Sequence, residues 1–311
     1  MRKILIRGPD TVGSFVLATP FIRELRKNHP TDYIVLCIKP LVYELAKNCP
    51  YVNKVLIYEK DRLKNFIKLK KEKFDTVFLL SGSFESALFC YLLGVKNRIG
   101  YPHDHRGFLL TQRIFEKEKK HYVDYILYIL ESLNYKITNR SPEIFIKDET
   151  NNYDFLFRDK IPVVGITYAS IANDARKWPK EYVLDLSKKL VAKGFKVVLL
   201  GKTKDDINFF DDNIINLVNK TNLLEFVSIV KKLYTYISVA TGGIHIAGAL
   251  GVRTIGLYIP GDEFGWSPYS KNSIVISKNV FCSPCNPHKM KYCKDNICMK
   301  KILPEDILKF F

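Results

Sequence analysis

Short apolar runs alternate with helix-like segments along the first half of the chain. Within residues 11–28, Val16, Phe21, Ile22 and Leu25 recur at the spacing of one helix face. The runs that predict strands are KILIRG (3–8), DYIVLCI (32–38), KVLIYE (54–59), DTVFLL (75–80) and RIGY (98–101). Strand–helix units of this length are typical of a parallel sheet with crossover helices.

A polar segment, KDETNNYDFLFRDK (147–160), interrupts this alternation and is predicted to be a linker. The alternation then restarts, with predicted strands PVVGITY (162–168), FKVVLLG (195–201), YISVA (236–240) and TIGLYI (254–259). The chain therefore reads as two successive α/β domains, 1–150 and 151–311. Ligands of open parallel sheets bind at the carboxyl ends of the strands, so we expect the site in the cleft between the domains.

The composition gives the chain a strong positive charge. The chain has 311 residues, with 49 Lys+Arg against 32 Asp+Glu and a formal net charge of +17. Such a field favours an anionic partner, although a lysine-rich composition with solvated faces gives the same number. Nucleic acid is not the predicted partner, because the basic residues are spread out and no recognised module is present. We see neither a signal peptide nor an apolar stretch long enough to span a bilayer, and we expect a cytoplasmic protein that rests against a membrane.

The segment GPDTVGS (8–14) follows the first strand and opens the first helix. Glycine lets a backbone approach a ligand, and the amides of a helix start favour anions. The glycine spacing fits neither a P-loop nor a dinucleotide fingerprint. An anion-binding turn and a plain strand-to-helix turn both remain open.

Two segments of the second half point to a diphosphate. In ASIANDARKWP (169–179), Arg176 and Lys177 precede a Trp-Pro pair and could clamp phosphates, or form an exposed basic turn. In SVATGGIHIAGALGV (238–252), Thr241, Gly242 and Gly243 precede a helix that carries His245. Small residues there leave the helix amides accessible, and the histidine is a phosphate donor or a structural residue.

Four cysteines cluster near the end of the sequence. Their pattern is Cys282-x2-Cys285-x7-Cys293-x4-Cys298. Four thiolates suit a structural metal, but the second pair is wider than in common zinc sites. Reduced thiols that order the segment by packing are the alternative.

Taken together, collinear segments resemble one family. They are KILIRGPDTVGSFVLATPFIRELRKNHP, FDTVFLLSGSFESALFCYLLGVKNRIGYPHDHRGFLL, DARKWP, VVLLG, TGGIHIAGALGVRTIGLYIPGDE and CSPC. The chain resembles glycosyltransferase family 9, the ADP-heptose:lipopolysaccharide heptosyltransferases, and above all the heptosyltransferase II branch. The resemblance covers nearly the whole sequence.

This resemblance implies a GT-B fold, in which two Rossmann-like domains face each other across a cleft. The donor, ADP-L-glycero-β-D-manno-heptose, would bind the C-terminal domain. The acceptor, the phosphorylated inner core of lipopolysaccharide, would bind the N-terminal domain at the cytoplasmic face of the inner membrane. Transfer would invert the anomeric carbon without a metal, and no cofactor is implied.

The family motifs also imply roles for particular residues. The donor would be bound by Ser170, Arg176, Lys177, Asp205 or Asp206, Thr241, Gly242, Gly243, His245 and Asp262. The acceptor would be bound by Thr11, Gly13, Ser14, His103 and Arg106. Arg176 would also be catalytic, because it would neutralise the leaving diphosphate.

Two family acids are replaced in this sequence. Ser14 stands where the family has its presumed general base, and Ala240 stands where an acid precedes Thr-Gly. An unassisted serine is a poor base at neutral pH. We therefore expect Asp10 to act as the base, with Asp104 and the neighbouring His103 and His105 as other candidates. A different nucleotide sugar or acceptor, or a noncatalytic homologue, also fits these replacements.

Overall fold

The chain divides into two compact units, Met1–Lys147 and Asp148–Phe311. We describe them from a computed structural model of residues 1–311, which covers every residue except 117, 119, 148, 149, 172, 173, 205, 206 and 208–210. Each unit has one six-stranded sheet with helices packed against it. The predicted α/β class is confirmed.

The sheet of the first unit has the strand order β3-β2-β1-β4-β5-β6, and neighbouring strands are parallel. Its strands are β1 (Lys3–Arg7), β2 (Tyr33–Ile38), β3 (Lys54–Ile57), β4 (Thr76–Leu79), β5 (Asn97–Gly100) and β6 (Gln112–Arg113). Its helices are α1 (Val12–Asn28), α2 (Tyr43–Ala46), α3 (Arg62–Lys70), α4 (Phe84–Leu92) and α5 (Tyr122–Glu131). Parallel neighbours require crossover connections. Helices α1 to α4 lie in the connections from β1 to β5, and a short turn of 3-10 helix (Gly107–Leu109) lies between β5 and β6.

A buried acid on α1 ties the end of this unit to its sheet. Glu24 is fully buried, and its carboxylate accepts hydrogen bonds from the backbone and hydroxyl of Thr138 and from the side chains of Lys27 and Arg23. Burial alone would raise the pKa of Glu24, but these hydrogen bonds outweigh it and lower the pKa to about 2. The segment around residue 138 is thereby held against α1.

The second unit repeats the architecture. Its sheet has the order β12-β11-β10-β7-β8-β9, again with parallel neighbours. Its strands are β7 (Val163–Thr167), β8 (Lys196–Leu199), β9 (Ile214–Asn216), β10 (Thr235–Val239), β11 (Thr254–Tyr258) and β12 (Ser273–Ser277). Its helices are α6 (Lys180–Ala192), α7 (Leu223–Lys231), α8 (Gly242–Ala249), α9 (Glu263–Trp266), α10 (Pro287–Lys291), α11 (Ile297–Lys300) and α12 (Pro304–Leu308).

Counted within each unit, both sheets have the Rossmann order 3-2-1-4-5-6. In that order strands 1 to 3 are added towards one edge of the sheet and strands 4 to 6 towards the other edge. The change occurs between the first and fourth strands, and ligands bind outside the carboxyl ends of those two strands. The strand pairs concerned are β1 and β4 in the first unit and β7 and β10 in the second. These positions locate the sites to be considered.

From Thr150 onward, the predicted linker is partly structured and belongs to the second unit. Asp154–Phe157 form a turn of 3-10 helix, and Leu156 is fully buried. The Lys196 ammonium donates to the Asp159 carboxylate at 2.5 Å and so fixes the end of the segment to β8. The polar composition of the segment gave no indication that Leu156 is buried or that Asp159 pairs with Lys196.

Candidate functional site

The loop between β1 and α1 holds a carboxylate between two cations. Asp10 accepts from the Arg7 guanidinium at 2.7 Å through Oδ1, and Lys39 lies 2.9 Å from Oδ2. Arg7 is buried, and its guanidinium lies 4.8 Å from the centroid of the Tyr58 ring. Asp10 itself is 28% exposed. Its carboxylate is therefore fixed in orientation and still accessible.

The start of α1 is connected to an aromatic residue of α5. The Ser14 and Thr11 hydroxyls are 2.8 Å apart, and Ser14 also hydrogen-bonds the phenol of Tyr122. Burial raises the pKa of Tyr122, and the hydrogen bond from Ser14 opposes that rise. The nearby negative charge of Asp10 also raises the pKa of this phenol. Gly13, by contrast, is buried within α1.

Three rings form a stack next to this group. Tyr101 and Tyr125 lie 4.0 Å apart at the ring centroids with nearly parallel planes, and His103 stacks 5.6 Å from Tyr101. Tyr122 continues the series, 6.0 Å from Tyr125. His103 is exposed. The stack connects two predicted acceptor residues, His103 and Ser14, which are far apart in the sequence.

Arg106, which the family resemblance assigned to the acceptor, is buried beneath the loops of the first unit. It is 1% exposed, and its guanidinium donates to the carbonyls of Tyr101, Ser81 and Ser83. These bonds join the segments that follow β4 and β5, so Arg106 stabilises the loops and does not present its charge to an acceptor. The exposed Asp104 instead accepts the Phe84 backbone amide at the start of α4 at 2.7 Å.

In the second unit, the predicted cation and acid meet. The Arg176 guanidinium donates to Asp262 at 2.7 Å and to the backbone carbonyl of Ala240 at 3.3 Å. Burial raises the pKa of Asp262, and the charge of Arg176 opposes that rise. The contact with Ala240 uses a main-chain oxygen, so it does not depend on the side chain at that position. Residues from three separate loops are thus joined.

The turn that carries Arg176 is anchored in the core. Trp178 is fully buried, its backbone amide donates to Tyr168 at 2.8 Å, and its indole donates to the carbonyl of Ile302 at 2.8 Å. The Asn296 side chain donates to the carbonyls of Ala175 and Lys177 at 3.1 and 2.7 Å. Sequence reasoning missed Asn296, because it belongs to no motif and lies among the clustered cysteines.

Helix α8 starts at the carboxyl end of β10. Amides of a first helical turn have no intrahelical acceptor, and within the described part of the chain Thr241 does not cap them with its hydroxyl. Gly242 and Gly243 are partly exposed, whereas His245 is buried. A Cβ on Gly243 would lie 2.6 Å from the Tyr236 hydroxyl oxygen and 2.8 Å from the Phe226 ring. A side chain at position 243 would therefore clash with Tyr236 of β10 and Phe226 of α7, a packing constraint that the sequence did not reveal.

The two residues of the predicted basic pair, Arg176 and Lys177, have different surroundings. Lys177 lines a cavity of about 440 Å³ together with Lys180, Lys294 and Lys300, and Arg176 is not among the residues that line it. Ser170 follows β7 and is partly exposed, as expected for a residue at that strand end. The predicted ribose acids Asp205 and Asp206 lie outside the described residues.

The four clustered cysteines line one small cavity of about 30 Å³. Within the described parts of the chain, no three His, Cys, Asp or Glu side chains lie close enough to hold a metal ion. The Cys285 backbone amide donates to Pro260 at 2.7 Å, two residues before Asp262. With Asn296, this bond makes the cysteine segment a support for both loops of the Arg176–Asp262 pair.

Solved structures with the same fold identify the architecture. The structure of Escherichia coli ADP-heptose LPS heptosyltransferase II aligns with a TM-score of 0.79 at 22% identity and covers 99% of this chain and 97% of that chain. The structure of E. coli heptosyltransferase WaaC with ADP gives a TM-score of 0.74 at 15% identity, with 100% and 98% covered. The fold is that of the GT-B glycosyltransferases, as predicted.

Sequence comparison defines the family within that class. The profile of glycosyltransferase family 9 (heptosyltransferase) matches residues 62–294. Lipopolysaccharide heptosyltransferase 2 of E. coli (strain K12) is 24% identical over 310 residues, which cover 88% of this chain and 87% of the relative. The chain belongs to glycosyltransferase family 9 and is a glycosyltransferase. In the parts of the chain that the structure describes, we find no helix with the length and hydropathy needed to cross a membrane.

Proposed function

We propose that the protein transfers heptose from ADP-L-glycero-D-manno-heptose to the inner core of lipopolysaccharide at the cytoplasmic face of the inner membrane. The observation that carries this proposal is the contact of Arg176 with Ala240 and Asp262, because it holds a cation beside the first turn of α8. A guanidinium and helix amides together form a site for a diphosphate. The names of the relatives supply ADP-heptose and lipopolysaccharide, whereas the sugar configuration, the inner core and the membrane face are what the family resemblance implies.

In this proposal the second unit binds the donor. Gly242 and Gly243 offer amides to the diphosphate, and the Thr241 hydroxyl and Ser170 lie at the ends of the two strands where such folds bind ligands. His245 is buried in the first turn of the helix, and the family motif implies that it also binds the donor. Asp205 or Asp206 would bind the ribose, as the family motif implies.

The positive charge needed by the leaving group is supplied by the protein in this mechanism. ADP departs with a diphosphate whose charge increases as the glycosidic bond breaks, and preorganised donors stabilise such charge most effectively. Arg176 is preorganised by Asp262 and by the buried anchor Trp178. In this proposal the guanidinium and the amides of α8 take the place of a metal ion at the diphosphate.

The first unit binds the acceptor in the same proposal. The ring stack that ends at His103 offers flat apolar faces of the kind that sugar rings contact, and the Thr11 and Ser14 hydroxyls offer hydrogen bonds. Asp10 accepts the proton of the acceptor hydroxyl while its oxygen attacks the anomeric carbon. The bond from that carbon to the diphosphate oxygen breaks, and its electron pair leaves with ADP. The attack from the opposite face inverts the configuration.

Titration calorimetry with ADP tests the donor site. Replacing Arg176 with Ala should weaken ADP binding about 10- to 100-fold, because hydrogen bonds to charged groups contribute about 1.5–3 kcal/mol. Arg158 is exposed in the same unit, and Arg158→Ala is the matched control. Equal ADP affinity in the two variants would refute the proposed diphosphate site.

A transfer assay with a truncated lipopolysaccharide core tests the reaction. We expect turnover with ADP-heptose and loss of at least 100-fold in rate for Asp10→Asn, because the base contributes about 10²–10⁴-fold. ADP affinity should be unchanged in that variant. If the protein preferred another donor in a panel of nucleotide sugars, that sugar would replace ADP-heptose in the proposal. Binding of ADP-heptose without turnover would indicate a noncatalytic homologue.

A further inference from the structure

Helix α3 has an exposed face that combines apolar and basic side chains. Leu63 is 68% exposed and Ile67 is 49% exposed, and the two residues are one helical turn apart. Lys64, Lys68, Lys70 and Lys71 surround them and are all exposed. We call these six residues the α3 face.

The packing of α3 fixes which side points outward. Asn65 and Leu69 are buried, and the Asn65 amide exchanges two hydrogen bonds with the backbone of Glu59. Phe66 packs edge-on against Phe89 of α4 at 6.1 Å between ring centroids. With 3.6 residues per turn, Leu63 and Ile67 then lie opposite Asn65. The α3 face is thus held outward by the fold.

The charge of this face is left unneutralised. Among the residues that the structure describes, none of the four lysines forms an ion pair with an Asp or Glu side chain. Of the acids nearest in sequence, Asp61 caps α3 by accepting the backbone amide of Lys64 at 3.1 Å, and Glu72 pairs with the Lys54 ammonium at 2.6 Å. A surface with exposed leucine and isoleucine inside a ring of lysines therefore lies on the first unit.

We propose that the α3 face docks on the surface of a bilayer that contains anionic lipids. Such a helix places its apolar side chains at the boundary of headgroups and acyl chains, and its lysines contact the anionic headgroups. A second copy of this chain is disfavoured as the occupant, because two α3 faces would bring lysines against lysines. This inference rests on the membrane location in the proposed function and adds the surface that docks, and docking needs neither donor nor acceptor.

Vesicle co-sedimentation tests the inference with the full chain and no substrate. Vesicles of phosphatidylcholine alone are compared with vesicles that contain phosphatidylglycerol at about 30% of the lipid, a composition chosen on the order of natural anionic content. The protein should bind the anionic vesicles, and added salt should weaken the binding. Absence of binding to anionic vesicles would overturn the inference, whatever the transferase activity.

Two variants locate the surface. The triple variant Lys64→Gln, Lys68→Gln, Lys71→Gln should lose about 100-fold in partition, at about fivefold for each lysine near the surface. The control Lys193→Gln, Lys271→Gln, Lys301→Gln makes the same charge change at exposed positions of the second unit and should lose far less. Equal loss in both variants would mean that overall charge, and not the α3 face, causes binding.

The apolar contribution needs its own variant. Leu63→Ser with Ile67→Ser should weaken partition at least 10-fold without changing the circular dichroism spectrum, since both side chains are exposed. Size-exclusion chromatography completes the test. Conversion of a dimer to a monomer by this variant would show that a second copy covers the face and would contradict the proposal.

Discussion

Replacing Gly243 with Ala separates two explanations for the glycines at the start of α8. In one, the small residue gives a ligand access to the helix amides; in the other, it allows the helix to pack against its sheet. Cβ atoms essentially never lie within 3.0 Å of another heavy atom, and here the new Cβ would lie 2.6 Å from the Tyr236 hydroxyl oxygen. The helix or the tyrosine must therefore move by at least about 0.4 Å, which is the difference between 3.0 and 2.6 Å.

The cost follows from this overlap. Overpacking of a core costs about 1–3 kcal/mol, and alanine recovers at most about 1 kcal/mol of helix propensity. We expect Gly243→Ala to lower the free energy of unfolding by about 1–2 kcal/mol, which is a fall in Tm of roughly 2–8 °C for a unit of this size. Because the amides of α8 shift with the helix, ADP affinity should also fall by about fivefold.

Thermal unfolding and ADP titration of the same samples measure both effects. Gly265 is the matched control, because it lies in helix α9 and a Cβ there would meet nothing within 4 Å. Tyr236→Phe removes the closer clash but also the 2.7 Å hydrogen bond from Tyr236 to Thr167, so Gly243→Ala should cost less in the Tyr236→Phe background than in the natural sequence. Unchanged stability with lost ADP binding would favour ligand access. Unchanged stability and unchanged affinity would refute the packing argument.

Two further predictions concern stability. The pKa of Glu24 is lowered to about 2 from an ordinary value of 4.5, so its stabilisation of about 3 kcal/mol is complete above about pH 4.5 and is lost as the pH falls towards 2. Denaturant unfolding from pH 3 to 7 should show stability that falls with pH, and Glu24→Gln should reduce that slope without abolishing it, because Asp32, Asp159 and Asp306 also have lowered pKa values. An unchanged slope in Glu24→Gln would contradict the prediction. Trp178→Phe leaves the buried carbonyl of Ile302 without its donor and should cost about 1–3 kcal/mol, whereas Trp266→Phe, at a partly exposed position, should cost less in the same melts.

Much of the fold followed from the order of apolar runs. Buried parallel strands are nearly continuous apolar segments, so β1, β2, β4, β7, β8, β10 and β11 were all visible in the sequence. The strands that escaped notice are β6, β9 and β12. β6 has two exposed polar residues, β9 has three residues, and β12 is only partly buried. Edge strands such as these are defined by their neighbours and carry little pattern of their own.

The strand ends that carry Asp10, Arg176, Thr241 and Asp262 were also determined by the sequence. Because parallel strands present their carboxyl ends at one edge, residues that follow strands gather there whatever their separation in the chain. Local pattern alone was therefore enough to nominate them.

The use of each side chain was decided by the tertiary structure. Arg106 and Arg176 look alike in the sequence, yet one donates to three loop carbonyls and is buried, whereas the other pairs with Asp262 beside a helix start. A side chain at position 243 is excluded by Tyr236 and Phe226, which belong to other elements. Burial and pairing depend on atoms contributed by distant segments, and no local pattern records which segments those are.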